Sequence, residues 1–133
     1  MANELILVIE DNEQNRKLVR DVLQVKGYRV IEAETAEAGL SLAAETTPDL
    51  VLMDIHLPGM SGIEAVAKLR AMPQMRDIPM LAFTASVMPQ DRREIMAAGF
   101  DGFVAKPINV KEFLATIAAT LARTGGVKGA TET

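Results

Sequence analysis

The chain has no cysteine and no tryptophan, one tyrosine and one histidine, and only 4% of its residues are aromatic. Without cysteine there is no disulfide and no thiolate-held zinc, and nothing calls for an oxidising compartment. The one histidine, His56, cannot build a histidine cage around a metal. Long apolar runs are missing too. The run Leu5 to Ile9 is five residues long, where a membrane-spanning helix needs about 20. The opening residues Met1-Ala2-Asn3-Glu4 lack the basic and apolar regions of a secretory leader. The net charge is −4 and the basic residues form no cluster, which argues against direct binding to nucleic acid. These absences lead us to expect a cytoplasmic protein with no membrane association.

What is present suits one globular domain. The 133 residues are 49% hydrophobic and 24% charged, enough for a full core without staples. The most informative stretch is Asp49 to Gly59. Leu50, Val51, Leu52 and Met53 run on without a polar break, as in a central parallel strand covered on both faces. Asp54 ends the strand, Pro58 and Gly59 turn the chain, and Ser61-Gly62-Ile63-Glu64 has the form of a capping box opening a helix.

Five apolar runs alternate with five helical patterns, which predicts βα units around a parallel sheet. The expected strands are Glu4 to Ile9, Arg29 to Glu32 at an edge, Leu50 to Met53, Pro79 to Phe83, and Gly102 to Ala105. The first helix should bury Leu18, Val19, Val22, Leu23 and Val25 on one face, with Gly27 in a left-handed position after its end. Thr35 should cap the second helix, the third should span Gly62 to Arg70, and Pro89 should open the fourth. The loop Met72 to Asp77 should be exposed. Asn109 and Glu112 should cap the last helix, whose apolar stripe is Phe113, Leu114, Ile117, Ala118 and Leu121. From Thr124 onward the glycines and small polar residues read as a frayed tail, so the domain should occupy residues 1–123 and a flexible tail 124–133. On this reading we expect no output domain. The expected fold is a doubly wound five-stranded α/β sheet in the order 2-1-3-4-5, with helices on both faces and a crevice between the first and third strands.

The strand ends carry the chemistry. Glu10 and Asp11 follow the first strand, Asp54 the third, Thr84 the fourth and Lys106 the fifth. Each alone has a plain reading as a turn residue, a cap or a solvated surface group. Together, three carboxylates in one crevice repel each other and raise at least one pKa. A hard divalent cation resolves that conflict, and magnesium suits one or two carboxylates plus water and a phosphate. Lys106 can hold a phosphate oxygen and Thr84 can donate a hydroxyl. The set is suited to moving a phosphoryl group onto a carboxylate.

Four motifs in this order, Val8-Ile9-Glu10-Asp11-Asn12, Leu52-Met53-Asp54-Ile55-His56-Leu57-Pro58-Gly59-Met60-Ser61-Gly62, Thr84-Ala85 and Lys106-Pro107, resemble the receiver domain of two-component response regulators. The resemblance covers about Glu4 to Ala122 and is greatest to stand-alone receivers of the DivK type. It implies a flavodoxin-like fold and a phosphorylation-dependent switch, not a classical enzyme: the domain would catalyse only its own phosphorylation and slow dephosphorylation. It implies that Asp54 is the phosphoacceptor, and that Glu10, Asp11, Asp54 and the backbone carbonyl of His56 hold Mg2+. Thr84 and Lys106 would contact the phosphoryl oxygens, Phe103 would be the switch aromatic, and the Lys106–Pro107 bond would be cis. The implied partners are a sensor histidine kinase or histidine phosphotransfer protein and a downstream protein that reads the surface of the fourth helix, fifth strand and fifth helix. Cell-cycle or polarity control is one such pathway. Three other readings fit less well. An aspartyl-phosphate phosphatase needs a second aspartate where His56 stands. A flavin or nucleotide module needs a glycine- or serine-rich first loop in place of Glu10-Asp11-Asn12-Glu13. A non-phosphorylated pseudo-receiver has no use for the complete acid, threonine and lysine set.

Overall fold

The computed structural model describes residues 3–85 and 88–132, with side chains to residue 123. Five strands, β1 (Leu5–Ile9), β2 (Arg29–Ala33), β3 (Leu50–Asp54), β4 (Met80–Thr84) and β5 (Gly102–Ala105), alternate with α1 (Glu13–Val25), α2 (Ala36–Glu45), α3 (Gly62–Arg70), α4 (Pro89–Ala98) and α5 (Val110–Glu132). All pairs are parallel, and the sheet order is β2-β1-β3-β4-β5, as the alternation of patterns predicts.

The unbroken apolar strands follow from coverage on both faces. Ile6, Val8, Leu50, Leu52, Leu81 and Phe83 point into one cluster with Val19 and Leu23 of α1 and Phe113 and Ile117 of α5. Leu7, Ile9, Val51, Met53, Met80 and Ala82 point into the other, with buried residues of α2, α3 and α4. Successive side chains of a strand alternate between these two cores. No helix among the described residues is long and apolar enough to cross a membrane.

The helix starts are set by the expected caps. Thr35 accepts from the Ala38 amide, Asn109 from the Glu112 amide, and Ser61 and Glu64 form a reciprocal capping box. Asn12 caps α1 by accepting from the Asn15 amide at 2.9 Å. Gly27 has φ 89°, the left-handed conformation that suits glycine after a helix.

Three expectations need correction. On α1, Leu18 and Val25 are exposed at 45% and 85% and only Val19 and Leu23 are buried, because a stripe three to four residues apart cannot include all five positions. On α5, Ala118 is exposed while Phe113 and Ile117 are buried. The loop after α3 is not wholly exposed: Pro73–Met75 forms a 3-10 turn that buries Met75 completely. The helical backbone of α5 runs to Glu132. The side chains of 124–132, and with them the tail expected there, lie outside the described residues.

Candidate functional site

Parallel register brings the strand ends level. Ile9 pairs with Met53 and Asp54 with Phe83, so the residue after β1, Glu10, stands beside Asp54. Thr84 pairs with Ala105 at the next rung, and the Lys106 amide donates to the Thr84 carbonyl at 2.8 Å. The crevice at the order reversal therefore collects Glu10, Asp11, Asp54, Thr84 and Lys106, the set expected from the sequence.

The carboxylates of Glu10, Asp11 and Asp54 offer ligand oxygens all within 4.8 Å of one another. Glu10 and Asp54 are buried and Asp11 is exposed. Lys106 Nζ lies 2.6 Å from Asp54 Oδ2 and 3.0 Å from Glu10 Oε1, and 4.8 Å from the centre of the Phe83 ring. The Asp54 Oδ1 accepts the His56 amide at 2.9 Å, and Glu10 Oε2 accepts the Asn12 amide at 3.0 Å. Glu10 Oε1 is different. Lysine stands within ion-pair distance, but the approach is not directed as a hydrogen bond, and among the described residues this buried oxygen has no hydrogen-bond partner.

Burial raises the Glu10 carboxyl above its ordinary value. The Asn12 amide and Lys106 oppose that, and the Asp54 charge adds to it. Burial alone would lower the Lys106 ammonium, but the hydrogen bond to Asp54 and the charges of Asp54 and Glu10 reverse this and leave it raised. A raised acid is favoured protonated in the fold, so at neutral pH the Glu10 carboxylate is held at a cost. A divalent cation among these carboxylates would remove that cost, and an all-oxygen donor set is the kind a hard cation takes. The acidic cluster thus fits a divalent ion.

Other expected residues fall as follows. Thr84 is fully buried at the end of β4. His56 is exposed and meets Asp54 through its backbone amide. The Lys106–Pro107 bond is cis. Phe103 pairs with Ala82, two residues before Thr84 and so on the same face of the sheet. It is half-buried, with the Arg92 guanidinium 5.0 Å from its ring centre.

Three features at the site escape sequence reasoning. Phe83 beneath Lys106 reads as plain core. Arg16 Nη1 donates to the Glu10 carbonyl at 2.9 Å, a side-chain contact six residues back that no sequence motif signals. Gly62 sits where a Cβ would lie 2.6 Å from Ile55 Cα and 2.7 Å from the Asp54 carbonyl oxygen. The capping box points to a helix start there, but not to this close approach.

A family model described as the response regulator receiver domain matches residues 6–118. The polar-differentiation response regulator DivK of Brucella ovis is 40% identical over 116 residues, which is 87% of this chain and 94% of that protein. Among solved structures, the chemotaxis protein CheY4 of Vibrio cholerae matches with a TM-score of 0.86 and 29% identity over 90% of this chain and 99% of that one. The receiver domain of the sensor histidine kinase PA1611 from Pseudomonas aeruginosa, described with a magnesium ion coordinated in its active site cleft, matches with a TM-score of 0.84 and 30% identity over 91% and 99%. A match over most of the length, in sequence as well as in backbone, has one meaning: the chain belongs to the response regulator receiver domain family of two-component signalling.

Proposed function

We propose that Asp54 accepts a phosphoryl group from a phosphohistidine of a sensor histidine kinase or phosphotransfer protein. The observation that carries this reading is Lys106 Nζ set between two buried carboxylates, 2.6 Å from Asp54 Oδ2 and 3.0 Å from Glu10 Oε1. An Asp54 carboxylate oxygen forms the new P–O bond as the P–N bond to the donor imidazole breaks and the imidazole leaves with its electron pair. Glu10, Asp11, Asp54 and the His56 backbone carbonyl are the residues to hold Mg2+, which when bound supplies positive charge against the transferring phosphoryl oxygens. Lys106, kept cationic by its two carboxylate neighbours, passes from Asp54 Oδ2 to a phosphoryl oxygen. The Thr84 hydroxyl donates to another, drawing the loop after β4 inward, and Phe103 repacks behind it.

The surface of α4, β5 and α5 then changes and a downstream protein reads it. Moving such a switch from about 1:99 to 99:1 takes about 5.5 kcal/mol of state preference, which a dianionic group held by lysine, threonine and the ion can supply. The domain would catalyse its own phosphorylation and slow dephosphorylation and turn over no separate substrate. We take residues 1–123 as the receiver and 124–133 as a tail, and place the protein in the cytoplasm, where the kinase finds its ATP. The likeness to polar-differentiation regulators favours cell-cycle or polarity control.

Magnesium with a small phosphodonor such as acetyl phosphate should add one phosphoryl group to the intact protein by mass. Asp54→Asn should abolish the addition. Unmodified wild-type protein under these conditions would overturn the reading.

A further inference from the structure

Two of the three carboxylates at the crevice, Glu10 and Asp11, lie on the short connection between β1 and α1. Glu10 is pinned there at three points: its amide donates to the Ala33 carbonyl at 3.0 Å, its Oε2 accepts from Asn12, and its carbonyl accepts Arg16 Nη1 at 2.9 Å. The third pin is unlike the others because it comes from a side chain that is itself restrained. Arg16 Nε lies 3.3 Å from Glu32 Oε1 and Arg16 Nη2 3.5 Å from Glu34 Oε1. The Arg16 side chain is 13% exposed, so all three nitrogens of a largely buried guanidinium face an oxygen. Glu32 is in turn held by Arg20 Nη1 at 3.0 Å.

The Glu10 carbonyl and the Asp11 amide belong to one rigid peptide plane. Fixing the carbonyl fixes that plane, and with it the direction in which the chain presents Asp11. Asp11 is exposed, so its aim rests on its backbone and not on packing. The guanidinium fork has the shape to bridge a carbonyl and two carboxylates at once, which an ammonium does not. Glu32 and Glu34 lie against its charge, and its contact toward the crevice is the hydrogen bond to the Glu10 carbonyl.

We infer that Arg16, braced by Glu32 and Glu34, is a positioning residue that sets the Glu10–Asp11 pair for the divalent cation. The inference rests on the metal-dependent reading above. Partners behind a metal's ligands typically change affinity by ~10–100-fold when removed, and a restraint acting through one peptide plane belongs at the lower end.

The test is magnesium affinity by isothermal titration calorimetry on full-length wild type, Arg16→Met, Arg16→Lys and the double variant Glu32→Gln with Glu34→Gln. The thermal midpoint without magnesium is recorded beside each. Arg16→Met should bind magnesium about tenfold more weakly. Arg16→Lys, which keeps the charge and loses the fork, should remain several-fold weak, and the double variant should shift the same way by less. A lower midpoint with magnesium affinity within twofold of wild type would reduce Arg16 to a structural role and overturn the inference. Full affinity in Arg16→Lys would overturn it as well, by showing that charge suffices. If Arg16→Met fails to fold, the lysine and double variants decide by the same criteria. Wild type that binds no magnesium would sink both the site reading and this inference, whereas binding unchanged across the variants sinks this inference alone.

Discussion

Asp54 has both oxygens engaged before any ligand arrives, one by the His56 amide and one by Lys106. That geometry depends on the turn after β3, and Gly62 is its tightest point. A Cβ there would meet backbone atoms of Ile55 and Asp54 at 2.6 and 2.7 Å, and backbone cannot swing aside as a side chain can. Gly62→Ala should cost about 1–3 kcal/mol in urea unfolding and slow phosphorylation by acetyl phosphate, since the displaced turn carries the His56 amide. Wild-type stability and rate in this variant would show that the turn yields freely. Tyr28 permits a cleaner experiment, since the chain has one tyrosine and no tryptophan. Burial, with a smaller push from the Glu4 charge, raises its hydroxyl above the ordinary value. An acid raised in the fold gives its stability below the unfolded value and loses it as pH rises through the folded one. The protein should therefore lose stability above about pH 10, the phenolate absorbance should titrate later folded than in denaturant, and Tyr28→Phe should flatten the loss. Titration at the denatured value in native buffer would refute the burial argument. At this scale the sequence was legible where a residue type is scarce or sits at a strand end, as with Asp54 and Lys106. It was silent where a partner is chosen across the fold, as with Arg16 and Phe83.

Among the elements, strands were more legible than helix faces. An apolar run such as Leu50 to Met53 needs no phase to be read, whereas the face of α1 depends on which of Leu18, Val19 and Val22 meets the sheet. The buried 3-10 turn was illegible for a related reason: Met75 packs into a core assembled from distant elements, and the Arg70 guanidinium donates to its carbonyl at 3.4 Å, neither of which has a local signal. Arg70 ends α3 and donates to the carbonyls of Ile78 at 2.7 Å and Gly99 at 3.0 Å and to Asp101 Oδ2 at 2.7 Å. Asp101 also accepts the Met80 amide at 2.8 Å. One guanidinium thus joins the ends of α3 and α4 to the starts of β4 and β5. The opposite end of α4 has no side-chain cap at Met88, and Ile95 is the buried residue of that helix. Arg70→Ala should cost about 2–3 kcal/mol, because it strips donors from several carbonyls together. It should also speed amide hydrogen exchange most at Gly99, Phe100 and Asp101. Equal acceleration along all of α4 would show that the helix is not held at its C-terminal end.

For the molecule as a whole, the crevice sets stability and function against each other. Three carboxylates share one lysine there, so the cation-free fold carries unbalanced negative charge in a partly buried site. A ligand that binds the folded state alone stabilises it by RT ln(1 + [L]/Kd), about 2.7 kcal/mol at 100 times Kd. For a domain of this size that corresponds to a rise of roughly 10 °C in the thermal midpoint. Monovalent salt screens exposed charges but reaches buried ones far less, so potassium chloride at matched ionic strength should reproduce little of the gain. Asp54→Asn removes one of the three carboxylates while leaving Lys106 with Glu10, so its midpoint should rise much less with magnesium than that of wild type. Chelation should return wild type to its starting value. If potassium matched magnesium, or if Asp54→Asn gained as much as wild type, general screening would account for the stabilisation, and the strand-end acids would be neighbours without being ligands.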